Sequence, residues 1–278
     1  DPDCPTMWMN EVYALELNTK VWRKVETSGT PPTIRDKSCC CVMGPKATPN
    51  LLVVYGGFGP AAGTGPAHGD SEASFVWHGD VNALDITTNT WKPVIITSES
   101  SPDARCASQI CSVSEHDAVM VGGRTISGQR VGDTWHLHIN PETGSGTWTR
   151  IADPAADVPG RSLHSMISCP MGASGDVSLL VLFGGLSASG SHFNDVRVLK
   201  VKSENGSVTQ QWTAVMPLAS ASSLPPAPRG GHSAVLVLPP KAPNVITMMI
   251  FGGGSEYDPF SNSNTTLWDD VHTLSLSF

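Results

Sequence analysis

The sequence predicts an all-β fold, a propeller of four-stranded antiparallel blades, and three observations carry that prediction. A glycine pair closes an apolar run four times, in LLVVYGG at Gly57, AVMVGG at Gly123, LLVLFGG at Gly185 and ITMMIFGG at Gly253. An alternating strand led by aspartate follows each pair, and tryptophan follows three of those strands, at Trp91, Trp148 and Trp212. Glycine (27) and proline (22) punctuate the 278 residues too often for long helices, which excludes a helical bundle and a parallel α/β sheet.

The elements follow in order. Each unit opens on an arginine, at Arg35, Arg105, Arg161 and Arg229, and an apolar first strand comes next. The second strand is the run that ends in the glycine pair, and the third is DVNALDI from Asp80, DTWHLHI from Asp133, DVRVLKV from Asp195 or DDVHTLSL from Asp269. The tryptophan marks a fourth strand and is expected to fill the wedge between blades. A sheet this small cannot bury both faces alone, so the runs LLVV, AVMV, LLVL and TMMI require neighbouring blades stacked on either side. The expected blades span 35–96, 105–152 and 161–216, with an incomplete one at 229–278. NEVYALEL from Asn10 and Trp22 form a further partial blade at 10–27. Both end pieces bring a third strand, so they cannot merge, and the chain is expected to be part of a larger, six-bladed ring. The longest loop, Phe58 to His78, has the length of functional loops.

Charge and composition remove several functions. The formal charge is −8, so no global basic footprint for nucleic acid exists. No apolar run approaches the length of a membrane span, and DPDCPTMWMN lacks the features of a signal peptide. Three of the seven cysteines are adjacent, at Cys39–Cys41, which suits a reduced cytoplasmic or nuclear chain better than a disulfide scaffold. The sequons at Asn205 and Asn264 then read as chance polar loops. Neither metal nor cofactor is expected: His136 and His138 read as a surface pair with no third ligand, and no CxxC or phosphate-loop context occurs. His164 and His232 each stand three residues after an arginine, which suggests structural hydrogen bonds. No GxSxG nucleophile elbow supports an esterase-type site.

Blade topology sorts the remaining candidates. Loops joining strands two to three and four to one emerge on one face, which collects Arg35, Lys37, Arg105, Arg124, Arg130, Arg161 and Arg229. Guanidinium forks match carboxylates, so an acidic ligand or a peptide carboxylate is the expected guest. The repeated arginines are expected to tie neighbouring blades together. Arg124 and Arg130 are single-copy, because Phe58, Leu186 and Gly254 stand in the equivalent loops, and they are the recognition candidates. Arg150, on a fourth strand, is expected to do little.

The glycine pair, spaced Asp strand and tryptophan resemble the kelch repeat. The stretches GGRTISGQRVGDTWHLHI, VPGRSLHS, TPPTIRDKS and VNALDITTNTW resemble the kelch domain-containing substrate receptors of cullin-type ubiquitin ligases, over roughly residues 20 to 200. The resemblance implies a kelch-type propeller that is no enzyme itself. It implies a receptor that holds the C-terminal degron of a target protein by its free carboxylate. By position, Arg124, Arg130 and Ser162 would grip the carboxylate, and Lys37, Phe58, Trp77 and Leu163 would line the pocket. The family pattern has an aromatic at Leu163, a tyrosine at Phe58 and an arginine at Phe75, so carboxylate capture carries over better than diglycine specificity. No ligase-docking helix is readable before Phe278, and elongin or cullin contacts are expected from a segment outside this chain. The competing class is a generic kelch scaffold that binds a folded partner through its loops.

Overall fold

The computed structural model describes residues 9–61, 75–151, 158–171, 177–204, 207–215, 225–237, 245–258 and 263–277. Residues 62–74 of the long loop and the sequon at Asn205 lie outside that set, while Asn264 falls in the strand Ser263–Leu267. Every described regular element is a strand. The first blade pairs Cys39–Met43, Leu51–Tyr55, Val81–Asp85 and Thr90–Val94 in that order. The second pairs Gln109–Ser112, Asp117–Val121, Thr134–Ile139 and Gly146–Ile151, and the third Ser165–Met171, Val177–Phe183, Val196–Glu204 and Ser207–Val215. The fourth pairs Ser233–Val237, Val245–Phe251 and Val271–Ser277. First strands of successive blades touch one another, which places them innermost, around a common axis.

The apolar runs explain the stacking. In a strand, alternate side chains point to opposite faces. Met120 therefore joins a core with Val53, Tyr55, Leu137 and Trp148, between the first and second blades. Its neighbours Val119 and Val121 join Leu180, Leu182 and Trp212 between the second and third. Val181 and Phe183 turn the other way, onto Ile246, Met248 and Ile250 of the fourth. A run apolar at every position thus serves two interfaces, and each fully buried aliphatic side chain contributes about 1.5–3 kcal/mol. The tryptophans do wedge between blades: Trp148 is buried and meets Tyr55 edge-on, with ring centroids 5.3 Å apart. At the two ends the same pattern stays open, with Tyr13, Val21 and Trp22 exposed on the hairpin Val12–Glu16/Val21–Val25 and Val235, Phe251 and Val271 exposed on the fourth blade.

The glycine pair has a steric cause. Both members hold positive φ, as at Gly56 (65°) and Gly57 (108°). A Cβ on Gly56 would lie 2.5 Å from the Arg105 carbonyl oxygen of the next blade, and Gly122 and Gly184 meet Arg161 and Arg229 in the same way at 2.7 Å. Only glycine permits both the backbone angle and the approach.

The repeated arginines act differently from expectation. Each guanidinium grips the aspartate that opens the third strand of its own blade: Arg35 with Asp80, Arg105 with Asp133, Arg161 with Asp195 and Arg229 with Asp270. Each also donates to the first carbonyl of its own glycine pair and to the carbonyl two residues upstream. The side chain closes its own blade. What ties blades together is the arginine backbone, because the Gly57, Gly123 and Gly185 amides donate to the Arg105, Arg161 and Arg229 carbonyls of the following blade.

A second inter-blade device borders the outer strands. Ser28–Gly29, arriving from the preceding hairpin, pairs in parallel with Thr90–Trp91 of the first blade. Ile96 repeats this beside Gly146 of the second blade.

Candidate functional site

A short hairpin rises from each blade between its second and third strands, on the face where the blade-opening arginines lie. In the second blade Arg124 opposes Arg130 across this hairpin, closed by the Thr125 amide on the Gln129 carbonyl at 2.9 Å. Opposed residues of an antiparallel pair put their side chains on one side. Phe58 opposes Trp77 in the first blade, Leu186 opposes His192 in the third, and Gly254 opposes Leu267 in the fourth. Beside each hairpin runs the segment after the blade-opening arginine, so Asp36 pairs with Phe58, Cys106 with Arg124, Ser162 with Leu186 and Gly230 with Gly254.

The next residue of that segment completes the ring. Lys37, Ala107, Leu163 and Gly231 all hold the left-handed conformation, with φ of 51°, 55°, 60° and 68°. Their backbones form a relay around the axis: the Ala107 amide donates to Lys37, Leu163 to Ala107 and Gly231 to Leu163. Lys37 and Leu163 are thereby presented on the axial face by a constraint that the fold imposes on every blade.

The structure brings Arg130 and Ser162 together although they belong to different blades. Arg130 Nε donates to Ser162 Oγ at 2.9 Å, across 32 residues of sequence. Arg124 stands opposite Arg130, and its Nε is buried without an acceptor among the described residues. Phe58 packs against Trp77 with centroids 4.6 Å apart and stacks on Phe75 at 5.6 Å, an aromatic wall on the first-blade side. Cys106 and His192, which sequence reasoning passed over, join the site. Burial pushes the Cys106 thiol up, and the Lys37 and Arg124 charges pull it part of the way back. Burial and the Arg130 charge hold His192 below the ordinary histidine value, so it is a neutral group beside the arginine. The signal for His192 was present: GGLSASGSHFND aligns without a gap on GGRTISGQRVGD, placing His192 under Arg130.

The charge of this face is narrower than its seven basic residues suggest. Four of them carry their own aspartate, and Lys37 lies 3.8 Å from Asp36. The donor left without an acceptor among the described residues is on Arg124, while Arg130 bonds the Ser162 hydroxyl. Arg150 does sit on a fourth strand, yet it lines a groove together with Arg130 rather than standing apart.

Other expectations change in detail. His136 is buried rather than at the surface, and Asp117 Oδ1 lies 2.8 Å from both His136 Nε2 and His138 Nδ1. Among the described residues no three His, Cys, Asp or Glu side chains are grouped to hold a metal. His232 Nε2 bonds Ser165 Oγ at 2.7 Å, but neither ring nitrogen of His164 has a partner among the described residues. Both rings also fill space that glycine leaves open, His164 3.0 Å from where a Cβ would stand on Gly122 and His232 3.0 Å from one on Gly184.

Radial four-stranded blades, paired glycines with a steric reason, and a ring of variable side chains around the axis define a kelch-type β-propeller, a class built for binding. The chain matches the KLHDC2/KLHL20/DRC7 Kelch-repeats domain over residues 3–173, and it belongs to that family. It is 28% identical over 253 residues to an F-box/kelch-repeat protein of Arabidopsis thaliana, covering 90% of this chain and 46% of that protein. It is also 28% identical over 201 residues to human Kelch domain-containing protein 1, covering 68% and 46%. The chain thus spans about half the length of these curated relatives. Among solved structures, the one titled "Structure of YjhT" superposes with a TM-score of 0.57 at 16% identity, covering 88% of this chain and 66% of that one, a likeness of fold. The chain is a kelch-repeat protein-interaction domain.

Proposed function

We propose that this propeller is the recognition module of a substrate receptor for a cullin-type ubiquitin ligase and holds the C-terminal carboxylate of its target between Arg124, Arg130 and Ser162. One observation carries the reading: two single-copy arginines oppose each other at the axis, one bonded to a serine of the next blade, where every repeated arginine already has its aspartate. A carboxylate accepts both guanidiniums and the hydroxyl, and the Phe58–Trp77 wall excludes water and strengthens those bonds. Lys37 and Leu163 border the same site from the left-handed positions and meet the residues next to the terminus. The module binds and does not catalyse. Ubiquitin transfer belongs to the assembled ligase, reached through a docking segment for elongin or cullin outside this chain. Six free thiols among the described residues suit a cytoplasmic or nuclear setting.

The test is a panel of peptides with free and amidated C-termini, titrated by fluorescence anisotropy. Amidation removes the charge and should weaken binding at least roughly 30-fold, the equivalent of about 2 kcal/mol. Equal binding of the two forms replaces this reading with a scaffold that binds folded partners through its loops.

A further inference from the structure

The residue that closes each axial hairpin leans on the blade that follows, and the third blade departs from the pattern. Trp77 lies against the Cys106 thiol, and Arg130 Nε donates to Ser162 Oγ at 2.9 Å. His192 holds the same place in the third blade, opposite Leu186, but the fourth blade meets it with Gly230. A Cβ on Gly230 would stand 3.2 Å from His192 Cδ2 and 3.5 Å from Nε2. Nε2 is buried and has no partner among the described residues. A thiol or a hydroxyl answers the first two hairpins, and glycine offers the imidazole no side chain.

His192 belongs to the same site as the arginines. Ser162 pairs with Leu186, and Leu186 with His192, so the three side chains rise on one side of the third blade. The first of them is the serine that Arg130 reaches. Around the ring stand Leu186 across its hairpin, Gly230, and Leu163, whose Cβ would lie 3.4 Å from a Cβ on Gly230. Arg229, next to Gly230, is closed on Asp270. The second blade contributes the charge of Arg130, which together with burial keeps the imidazole neutral. Elsewhere on this face Asp36 faces Lys37, and burial keeps the Cys106 thiol protonated.

We infer that His192 is the proton-carrying member of this site: its imidazole takes up a proton as the peptide terminus docks, and the site binds its guest more tightly as the pH falls. The inference rests on the carboxylate reading above and deepens it. In the free protein a proton on His192 puts a second cation beside Arg130 in a half-buried place. A carboxylate held by Arg124, Arg130 and Ser162 offsets that repulsion and favours the imidazolium. The histidine of the free protein lies below its ordinary value, and the carboxylate moves it up, so binding takes up a proton between the two values. A peptide carboxyl terminus ionises near pH ~3.5, so it keeps its charge throughout that range. One linked proton changes affinity by at most about ten-fold per pH unit.

The experiment uses the whole chain and an N-acetylated peptide without acidic or histidine side chains, free and amidated at its C-terminus. Calorimetric titration in two buffers of unlike ionisation enthalpy counts the protons taken up, with no variant needed. The free peptide should bind about three- to ten-fold more tightly near pH 5.5 than near pH 7.5, with net proton uptake. His192→Gln should flatten both readouts, while His78→Gln, at a histidine held low by burial and Arg35, should leave them in place. If amidation weakens binding but no proton is taken up, the inference is overturned and the carboxylate reading stands. The same holds if the pH dependence survives His192→Gln, which would assign it to Asp36 or His78. If amidation changes nothing at any pH, the carboxylate reading itself is overturned, and the inference with it.

Discussion

Two sets of arginines share one face of this propeller and do opposite work. Arg161 is fully buried, grips Asp195 with both terminal nitrogens at 2.7 and 2.9 Å, donates to Gly184, and lies 4.1 Å from the centre of the Phe193 ring. Each of its three nitrogens donates, to Asp195 and Gly184 of its own blade and to Pro159 just before it. Arg124, one hairpin away, is partly exposed and keeps a buried nitrogen without an acceptor among the described residues. An arginine with a built-in carboxylate is architecture. Arg124 is the better binding candidate, because a buried donor left unsatisfied costs free energy that an arriving acceptor recovers.

The largest expected effect breaks the architectural member. Arg161→Ala leaves Asp195 with Arg197 alone and strips the Gly184 and Pro159 carbonyls of their donor, and it should cost about 3 kcal/mol of stability, read as a fall in the urea midpoint at unchanged slope. A change below about 1 kcal/mol would place Arg161 with the surface charges instead. Next comes the binding member. Arg124→Ala should cost about 2–5 kcal/mol of affinity for a free C-terminal peptide while the urea midpoint moves little. A variant that loses stability and affinity in parallel would erase the distinction drawn here.

Buried histidines sharpen the same contrast with protons. Burial and Arg161 hold His164 at about 3, and burial and Arg229 hold His232 at about 4, against 6.5 for a free histidine. The unfolded chain takes up these protons first, so stability is whole above pH 6.5 and falls as the pH drops from there towards the folded values. The slope is at most about 1.4 kcal/mol per pH unit per histidine. The Asp partners of the arginines titrate below this window, so urea titrations between pH 7 and pH 5 isolate the histidines. His164→Gln should lower the slope by up to about 1.4 kcal/mol per pH unit, His232 and the depressed His78 and His192 carrying the rest, and an unchanged slope would contradict the assignment. The smallest effect is expected at the first blade, where Asp80 is about half exposed: Asp80→Asn should cost only about 1 kcal/mol.

Much of this was legible in the sequence, for identifiable reasons. Gly57, Gly123, Gly185 and Gly253 mark positions that no other residue can fill, so the blade register survives in the letters. The opposition of Arg124 and Arg130, and the closeness of Ser162, follow from that register alone. Other features leave no such mark. The arginine–aspartate pairs join residues 28 to 45 apart, and Asp133 reads in sequence as a mere strand opener. Ala107 and Leu163 are ordinary side chains on a left-handed backbone, which residue type does not announce. His136 reads as surface because its partner, Asp117, lies 19 residues away on a neighbouring strand.

The parallel straps along the outer strands carry a consequence for the order of folding. Ser28 reaches Thr90 across 62 residues, so the segment leaving one unit must wait for the last strand of the next before it has a partner. Contacts of such sequence separation slow folding, since the loop between them must be closed before the contact can reward it. Once made, each strap covers an outer edge that would otherwise template pairing with another chain. The first blade is therefore sealed only by the material that precedes it, and the second only by the first. Refolding should propagate from one blade to its neighbour, and a cut at Gly29 should expose the Thr90–Val94 edge to hydrogen exchange while the inner strands stay protected.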